Sequence, residues 1–296
     1  HRPERDELRV VDEPEAVADL PSRRLLQDRL HAELGRPRQH GARDHHHVRL
    51  APPAERWLSP WDVPLRHLAV PRMGVSEARN AGARIASSEW LAFTDDDCVP
   101  DRGWLAALAA AAERSAAAGA SSRVLPLEDP APGLVGVSLR TATQELVFDG
   151  PHTHTPWDIG TGASMLVSAR AFSDLGGFDE AFGPGARFRA AEDIDLLERL
   201  MQAGATVVYT PDAIVYHQMK TRRAWLGRQM PYGFGMGALV ARAERNRRRF
   251  LARRYLSMQA RQVATGIRRG ALEPVVESLL SSVGFLRALF TTRRHD

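Results

Sequence analysis

Trp90-Leu91-Ala92-Phe93-Thr94-Asp95-Asp96-Asp97 is the stretch on which the fold turns. Its first five residues are apolar or β-branched and bounded by polar sequence, the pattern of a buried strand. Three carboxylates just past a strand's carboxyl end cannot be core, because unpaired buried charge costs too much. Open α/β sheets bind ligands at that edge. Carboxylates gathered there can hold a hard divalent cation, and such a cation often bridges to phosphate oxygens. Taken alone, the triplet also fits a solvated acidic turn or a helix N-terminus.

The flanks narrow the choice. Upstream, Val75, Ala78, Ala81, Gly82 and Ile85 recur at helical spacing, and small residues on that face let a helix lie close to a sheet. Downstream, Asp101 is an N-cap candidate for an Ala-rich helix running to about Ser115. Further on, Gly160-Thr161-Gly162 is no dinucleotide fingerprint, since Met165 stands at the third glycine position. Glycines there would let backbone N–H groups approach a ligand closely. Glu192-Asp193 opens a helix striped by Ile194, Leu197, Leu200 and Met201 and stopped by Gly204. Acid in a first turn also serves as simple dipole capping. His217 follows the apolar run Ala213-Ile-Val-Tyr216.

In order along the chain, Asn80-Ala81-Gly82, Trp90 to Asp97, Pro100, Trp104-Leu105, Gly160 to Met165, Leu175 to Glu180, Glu192-Asp193, Pro211 to Ala213 and His217 resemble the family 2 glycosyltransferases. The resemblance covers about residues 66 to 220. It implies an α/β fold of GT-A type, a Rossmann-like mixed sheet flanked by helices. It also implies a nucleotide-diphosphate sugar as donor, a divalent metal (Mn2+ or Mg2+) and an inverting transfer to a glycan or lipid-linked acceptor.

Roles follow by resemblance. Asp95 and Asp97 form an Asp-x-Asp pair whose side chains share a face in extended backbone. Asp97 is the first choice for metal ligand, and Asp95 serves metal or ribose. Asp96 is assigned to the donor side, with a structural ion pair as its other reading. Asp193 is the general base and Glu192 orients the acceptor or a loop. Asp195 faces away and is structural. Gly160, Thr161 and Gly162 form the acceptor-side loop. Ser164 stands where the family often carries Asn, which leaves an acceptor contact there open. His217 is a third metal ligand or a structural histidine. Arg79 and Asn80 contact the nucleotide or lie on a helix surface. Gly183 to Arg189 reads as a mobile loop whose arginines meet phosphate or solvent. His152, His154 and Asp158 are read as loop residues rather than a metal site. A calcium loop starting at Asp95 fails, because it needs Gly at Pro100 and Glu at Ala106.

Residues 1–65 do not read as the strand–helix–strand opening such a domain needs. They are rich in Arg, His and Pro, with Arg36-Pro37-Arg38-Gln39-His40 and His45-His46-His47. We expect a stretch read out of frame: codons for Arg36 to His40, shifted by one base, can encode Val-Leu-Asp-Asn. A disordered extension is the other reading. Pro64 to Pro71 then reads as a strand. Either way, the alternative to an active enzyme is a catalytically impaired remnant that acts at most in binding or at a membrane.

Composition sets the remaining bounds. At 44% hydrophobic residues the chain can bury a sizeable core. Cys98 is the single cysteine, which excludes an internal disulfide, and beside three aspartates it reads as a packing residue. Lys220 is the only lysine among Arg-rich sequence, read here as coding bias. From Arg242 to Asp296 there are 13 Arg against four acidic residues, a net of +9, so the rest is about −5. The tail from 238 onward therefore reads as a basic helical region beyond a catalytic domain at 66–237. Its apolar face at Leu272 to Phe290, between arginines, suits an anionic membrane surface and equally a helix packed on the domain. Nucleic acid is the weaker partner, as aromatics do not interleave with the basic residues. No run of 18 apolar residues occurs, so no spanning helix is expected, and no signal peptide is visible. The expected location is cytoplasmic, peripheral at the inner membrane face.

Overall fold

The computed structural model describes Leu68, residues 74–150 and residues 153–292. The frame-shift reading of 1–65, the strand at 64–71 apart from Leu68, and His152 lie outside the described residues.

Helix α1 (Val75–Ile85) leads into β1 (Trp90–Phe93) and β2 (Cys98–Pro100), then α2 (Trp104–Arg114) and β3 (Gly119–Pro126). β4 (Leu134–Val135), β5 (Leu146–Phe148), α3 (Pro156–Ile159), β6 (Met165–Ser168) and α4 (Ala169–Asp174) follow. The acidic helix α5 (Glu192–Gln202), the long strand β7 (Val207–His217) and β8 (Lys220–Thr221) complete the sheet part. Three helices close the chain: α6 (Arg222–Arg242), α7 (Arg245–Arg268) and α8 (Leu272–Thr292).

The main sheet runs β1-β6-β3-β7-β2, with β5 also on β7, while β4 and β8 form a separate ribbon. β3 and β7 are parallel, and the other pairs are antiparallel. This is the expected mixed sheet with helices on both faces. On one face α5 sends Leu196, Leu197, Leu200 and Met201 against Phe148, Ile159 and Val207. On the other, Leu108, Ala111 and Ala112 of α2 meet Ala120, Leu166, Val208 and Val215. Each fully buried large side chain contributes about 1.5–3 kcal/mol before chain entropy is counted.

Several local expectations need correction. β1 is not a fully buried strand: among the described residues it pairs on one side, and Leu91 is its buried member. In α1 the buried positions are Ser76, Asn80 and Ala81, while Ile85 is exposed. The reason is hydrogen bonding. Ser76 Oγ donates to Phe182 O (2.8 Å), and the Asn80 amide binds the Phe178 backbone in both directions (2.9 Å each). Helix α2 starts after Gly103 rather than Asp101, whose carboxylate accepts a long 3.5 Å bond from Gly103 N. The 183–189 segment is packed: Phe182 and Phe188 are buried, and Arg187 and Arg189 lie over the Phe188 and Phe234 rings.

The terminal helices dock on that packed segment. Phe182, Phe188, Ala191 and Ile194 join Leu239, Leu251, Tyr255 and Phe285 in one apolar cluster. Arg247 of α7 grips Glu198 of α5 through Nε (2.7 Å) and Nη2 (2.6 Å), and both side chains are buried. Arg247 is therefore a structural residue of the tail. α6 and α8 touch backbone to backbone, since a Cβ on Gly233 would lie 1.9 Å from Ser281 O. Position 237–238 falls inside α6, in the middle of this contact. Contrary to the apolar-run count, α8 is by length and composition able to cross a membrane, although a third of its apolar window is buried in the fold.

Candidate active site

The turn between β1 and β2 carries the aspartate triplet to one end of the sheet. β2 pairs with the last residues of β7, with Cys98 opposite His217, so the triplet and that histidine are brought side by side. Gln218 N donates to Asp97 O at 2.9 Å and closes the corner. Thr94 Oγ1 donates to Ala163 O at 2.9 Å, tying the same turn to the glycine loop.

Arg79 links the two acidic groups. Its Nη2 is 2.5 Å from Asp95 Oδ1 and its Nη1 is 3.1 Å from Glu192 Oε1. The guanidinium also lies 5.4 Å from the centre of the Phe178 ring. Gly162 sits against this group: a Cβ there would be 3.1 Å from Arg79 Nη2 and 3.3 Å from Asp193 Cβ. A side chain there would press on both groups, and the Gly162 N–H donates to Asp193 Oδ2 at 2.6 Å. The other Asp193 oxygen accepts from Ile194 N at 2.8 Å, which holds the carboxylate plane. Ala191, just ahead of the acidic pair, has φ +70°, a left-handed conformation that is costly for a residue with a Cβ.

Burial raises the Asp95 carboxyl above its ordinary range; Arg79 pulls it back, while Asp193 and Asp97 push it up further. That mutual influence places the triplet and the acidic pair in one electrostatic site. Burial, then Asp193, push Glu192 up to about 7, against the pull of Arg79.

Asp95, Asp97, Cys98 and His217 each offer one ligand atom, and these atoms lie within 4.8 Å of one another. Burial, reinforced by Asp95, pushes the Cys98 thiol up to about 12, and soft sulfur suits a hard cation such as Mg2+ poorly. His217 Nδ1 lies 2.8 Å from Gln218 O. A carbonyl can only accept, so Nδ1 carries a proton, and Nε2, 3.6 Å from Asp97 Oδ1, is the ring nitrogen left to meet a cation. Two carboxylates with one such imidazole fit a divalent cation, and the carboxylates suit Mg2+ or Mn2+.

Arg79, Asp95, Asp97, Gly162, Glu192, Asp193 and His217 thus converge. Thr161 joins them through the loop, and its buried Oγ1 has no hydrogen-bond partner among the described residues. Gly160 packs on Ser121, whose Oγ donates to Ile159 O at 2.7 Å. Asn80 stands apart, committed to Phe178 and to Glu180 Oε1 (3.1 Å). Asp96 is exposed at the turn and makes no ion pair among the described residues. Asp195 pairs with Arg199 Nε at 2.7 Å, as a structural residue should. Ser164 is buried between Trp104 Nε1 (2.8 Å) and Ser122 Oγ. Sequence reasoning missed Lys220, whose Nζ grips Asp97 Oδ2. The available signal was its being the single lysine in an arginine-rich chain, three residues past His217.

Residues 49–141 match the family model described as Glycosyl transferase family 2. The match begins before residue 66 and ends before the glycine loop and the acidic pair. The Pre-mycofactocin glycosyltransferase of Mycobacterium tuberculosis is 31% identical over 172 residues, covering 57% of this chain and 35% of that protein. The N-acetylglucosaminyl-diphospho-decaprenol L-rhamnosyltransferase of the same organism is 44% identical over 57 residues, covering 19% of this chain and 17% of that protein. The chain spans about a third or less of the length of these relatives. Among solved structures, GalNAc-T7 with UDP, GalNAc and Mn2+ is similar at TM-score 0.35 and 18% identity, over 50% of this chain and 31% of that one. That likeness is too slight to carry an argument.

Proposed function

We propose that this protein, whose residues 49–141 match the family model described as Glycosyl transferase family 2, is a metal-dependent, inverting glycosyltransferase. It moves a sugar from a nucleotide-diphosphate sugar to a glycan or lipid-linked acceptor, at the cytoplasmic face of a cell-envelope membrane. The observation that carries this reading is the double salt bridge of Arg79 to Asp95 and Glu192, which joins the metal-binding turn to the catalytic pair.

Asp95, Asp97 and His217 would hold the cation, which supplies Lewis-acid stabilisation of the leaving diphosphate. Lys220 and Arg79 add fixed positive charge on the same side of the site. Asp193 takes the acceptor proton, and the Gly162 N–H fixes the orientation of its carboxylate. Glu192, with a carboxyl pushed up to about 7, orients the acceptor by hydrogen bonding. Holding donor and acceptor together for in-line attack is the task of the short links from Thr94 to Ala163 and from Gly162 to Asp193.

The test is release of nucleoside diphosphate from a panel of nucleotide sugars, with Mn2+ and then with EDTA. The expected result is Mn2+-dependent release from at least one donor. No release from any donor would leave the chain an impaired remnant.

A further inference from the structure

The side of α8 that faces away from the rest of the fold is apolar. Leu272, Leu279, Val283, Leu286 and Phe290 are 72, 55, 52, 42 and 72% exposed. Their spacing of i, i+7, i+11, i+14 and i+18 sets them on one stripe of the helix. The opposite stripe, with Ser278, Ser281, Phe285 and Ala288, is buried. A surface helix ordinarily turns polar residues outward, and a contiguous apolar stripe marks an interaction surface. Ile267, 68% exposed near the end of α7, stands across the turn from Leu272.

Charge identifies what covers the stripe. Residues 242–292 carry 11 Arg against three acidic residues. Arg242 and Arg247 are taken by Asp179 and Glu198, and Glu273 is itself neutralised by Arg222 at 2.6 Å. Arg245, Arg249, Arg253, Arg261, Arg268 and Arg287 are exposed. The first three recur at i, i+4 and i+8 on α7, and Arg287 flanks the stripe on α8. An exposed apolar stripe on a helix pair rich in exposed guanidinium groups complements an anionic bilayer, with acyl chains meeting the stripe and headgroups the cations. The helix cannot span that bilayer while its other face touches the α6 backbone at Gly233 and Gly237.

We propose that the outward stripe of α8, with the end of α7, docks this protein on an anionic membrane surface, α8 lying in the interfacial plane. The proposal deepens the reading of a lipid-linked acceptor, but membrane binding is measured without reference to any transfer. The whole chain is sedimented with vesicles of phosphatidylcholine containing about 30% phosphatidylglycerol and with phosphatidylcholine alone. Expected results are binding to the anionic vesicles about tenfold or more above the neutral ones, and weakening in high salt. The triple variant Leu279→Ser, Leu286→Ser, Phe290→Ser loses about tenfold or more of that binding, with unchanged affinity for its nucleotide donor. Should that variant misfold, the variant Arg261→Gln, Arg268→Gln, Arg287→Gln is expected to lose the preference for anionic vesicles. Absent vesicle binding, equal binding by a folded triple variant, or a wild-type dimer that the triple variant dissolves would each overturn the proposal. The last would assign the stripe to a second copy of the chain.

Discussion

Asp193→Asn is expected to lower turnover by about 10²–10⁴-fold while leaving donor affinity nearly unchanged. The amide keeps the shape of the carboxylate but cannot accept a proton from the acceptor hydroxyl. The amide has one oxygen for the two backbone donors: turned toward Gly162 N (2.6 Å) it keeps the loop in place and gives up the bond from Ile194 N. In the proposed mechanism donor affinity rests on Asp95, Asp97 and His217, which the substitution leaves intact. The effect therefore belongs in kcat and not in donor Kd. Steady-state kinetics with calorimetry of donor binding separates the two, and unchanged turnover would refute Asp193 as the base.

Arg79→Met is expected to destabilise the fold by about 2–4 kcal/mol at pH 8 in metal-free buffer. It leaves Asp95 and Glu192 buried without their shared cation. The loss should shrink at pH 5, and the sign follows from linkage. Glu192 in the fold titrates at about 7, above its ordinary 4.5, mainly because it is buried. The folded state thus binds the extra proton, and the wild type loses stability as pH rises from about 4.5 through 7. Without Arg79 this carboxyl is pushed higher still, so the Glu192 share of the penalty extends above pH 7 and vanishes where that group is protonated in both proteins. Urea unfolding at the two pH values reads this directly. An equal loss at both would mean that Arg79 acts through packing on Phe178 rather than through charge. Added Mn2+ should recover part of the loss at pH 8, because a cation near Asp95 replaces some of the missing charge.

The parts of the fold legible in the sequence are those governed by local pattern. The apolar run ending in the triplet, the stripe of α5 and its stop at Gly204 follow from periodicity and capping, and the structure keeps them. Other parts depend on distant partners. Ser76 and Asn80 look like solvent positions of α1 until Phe182 and Phe178, about 100 residues later, supply their hydrogen bonds. Cys98-Val99-Pro100 is too short to show a period and becomes a strand because the end of β7 pairs with it. That pairing is what sets Asp97 beside His217, so the candidate metal ligands could be named from the sequence but not brought together from it. The tail's charge hides a packed residue: Arg247 is a buried partner of Glu198, 49 positions away, which no local pattern shows. The convergence of triplet, glycine loop and acidic pair was inferred from resemblance. Its physical link, Arg79, became evident only when both of its carboxylate partners were seen together.

The account's central claim is that the aspartate triplet and the acidic pair form one cation-dependent donor site. Calorimetric titration with nucleoside diphosphates and their sugars, with and without Mn2+, tests it most directly when repeated on Asp97→Asn. The account predicts binding that needs Mn2+ in the wild type and is lost in the variant. Tight binding of the same ligand by Asp97→Asn, or by the wild type in EDTA, would contradict it.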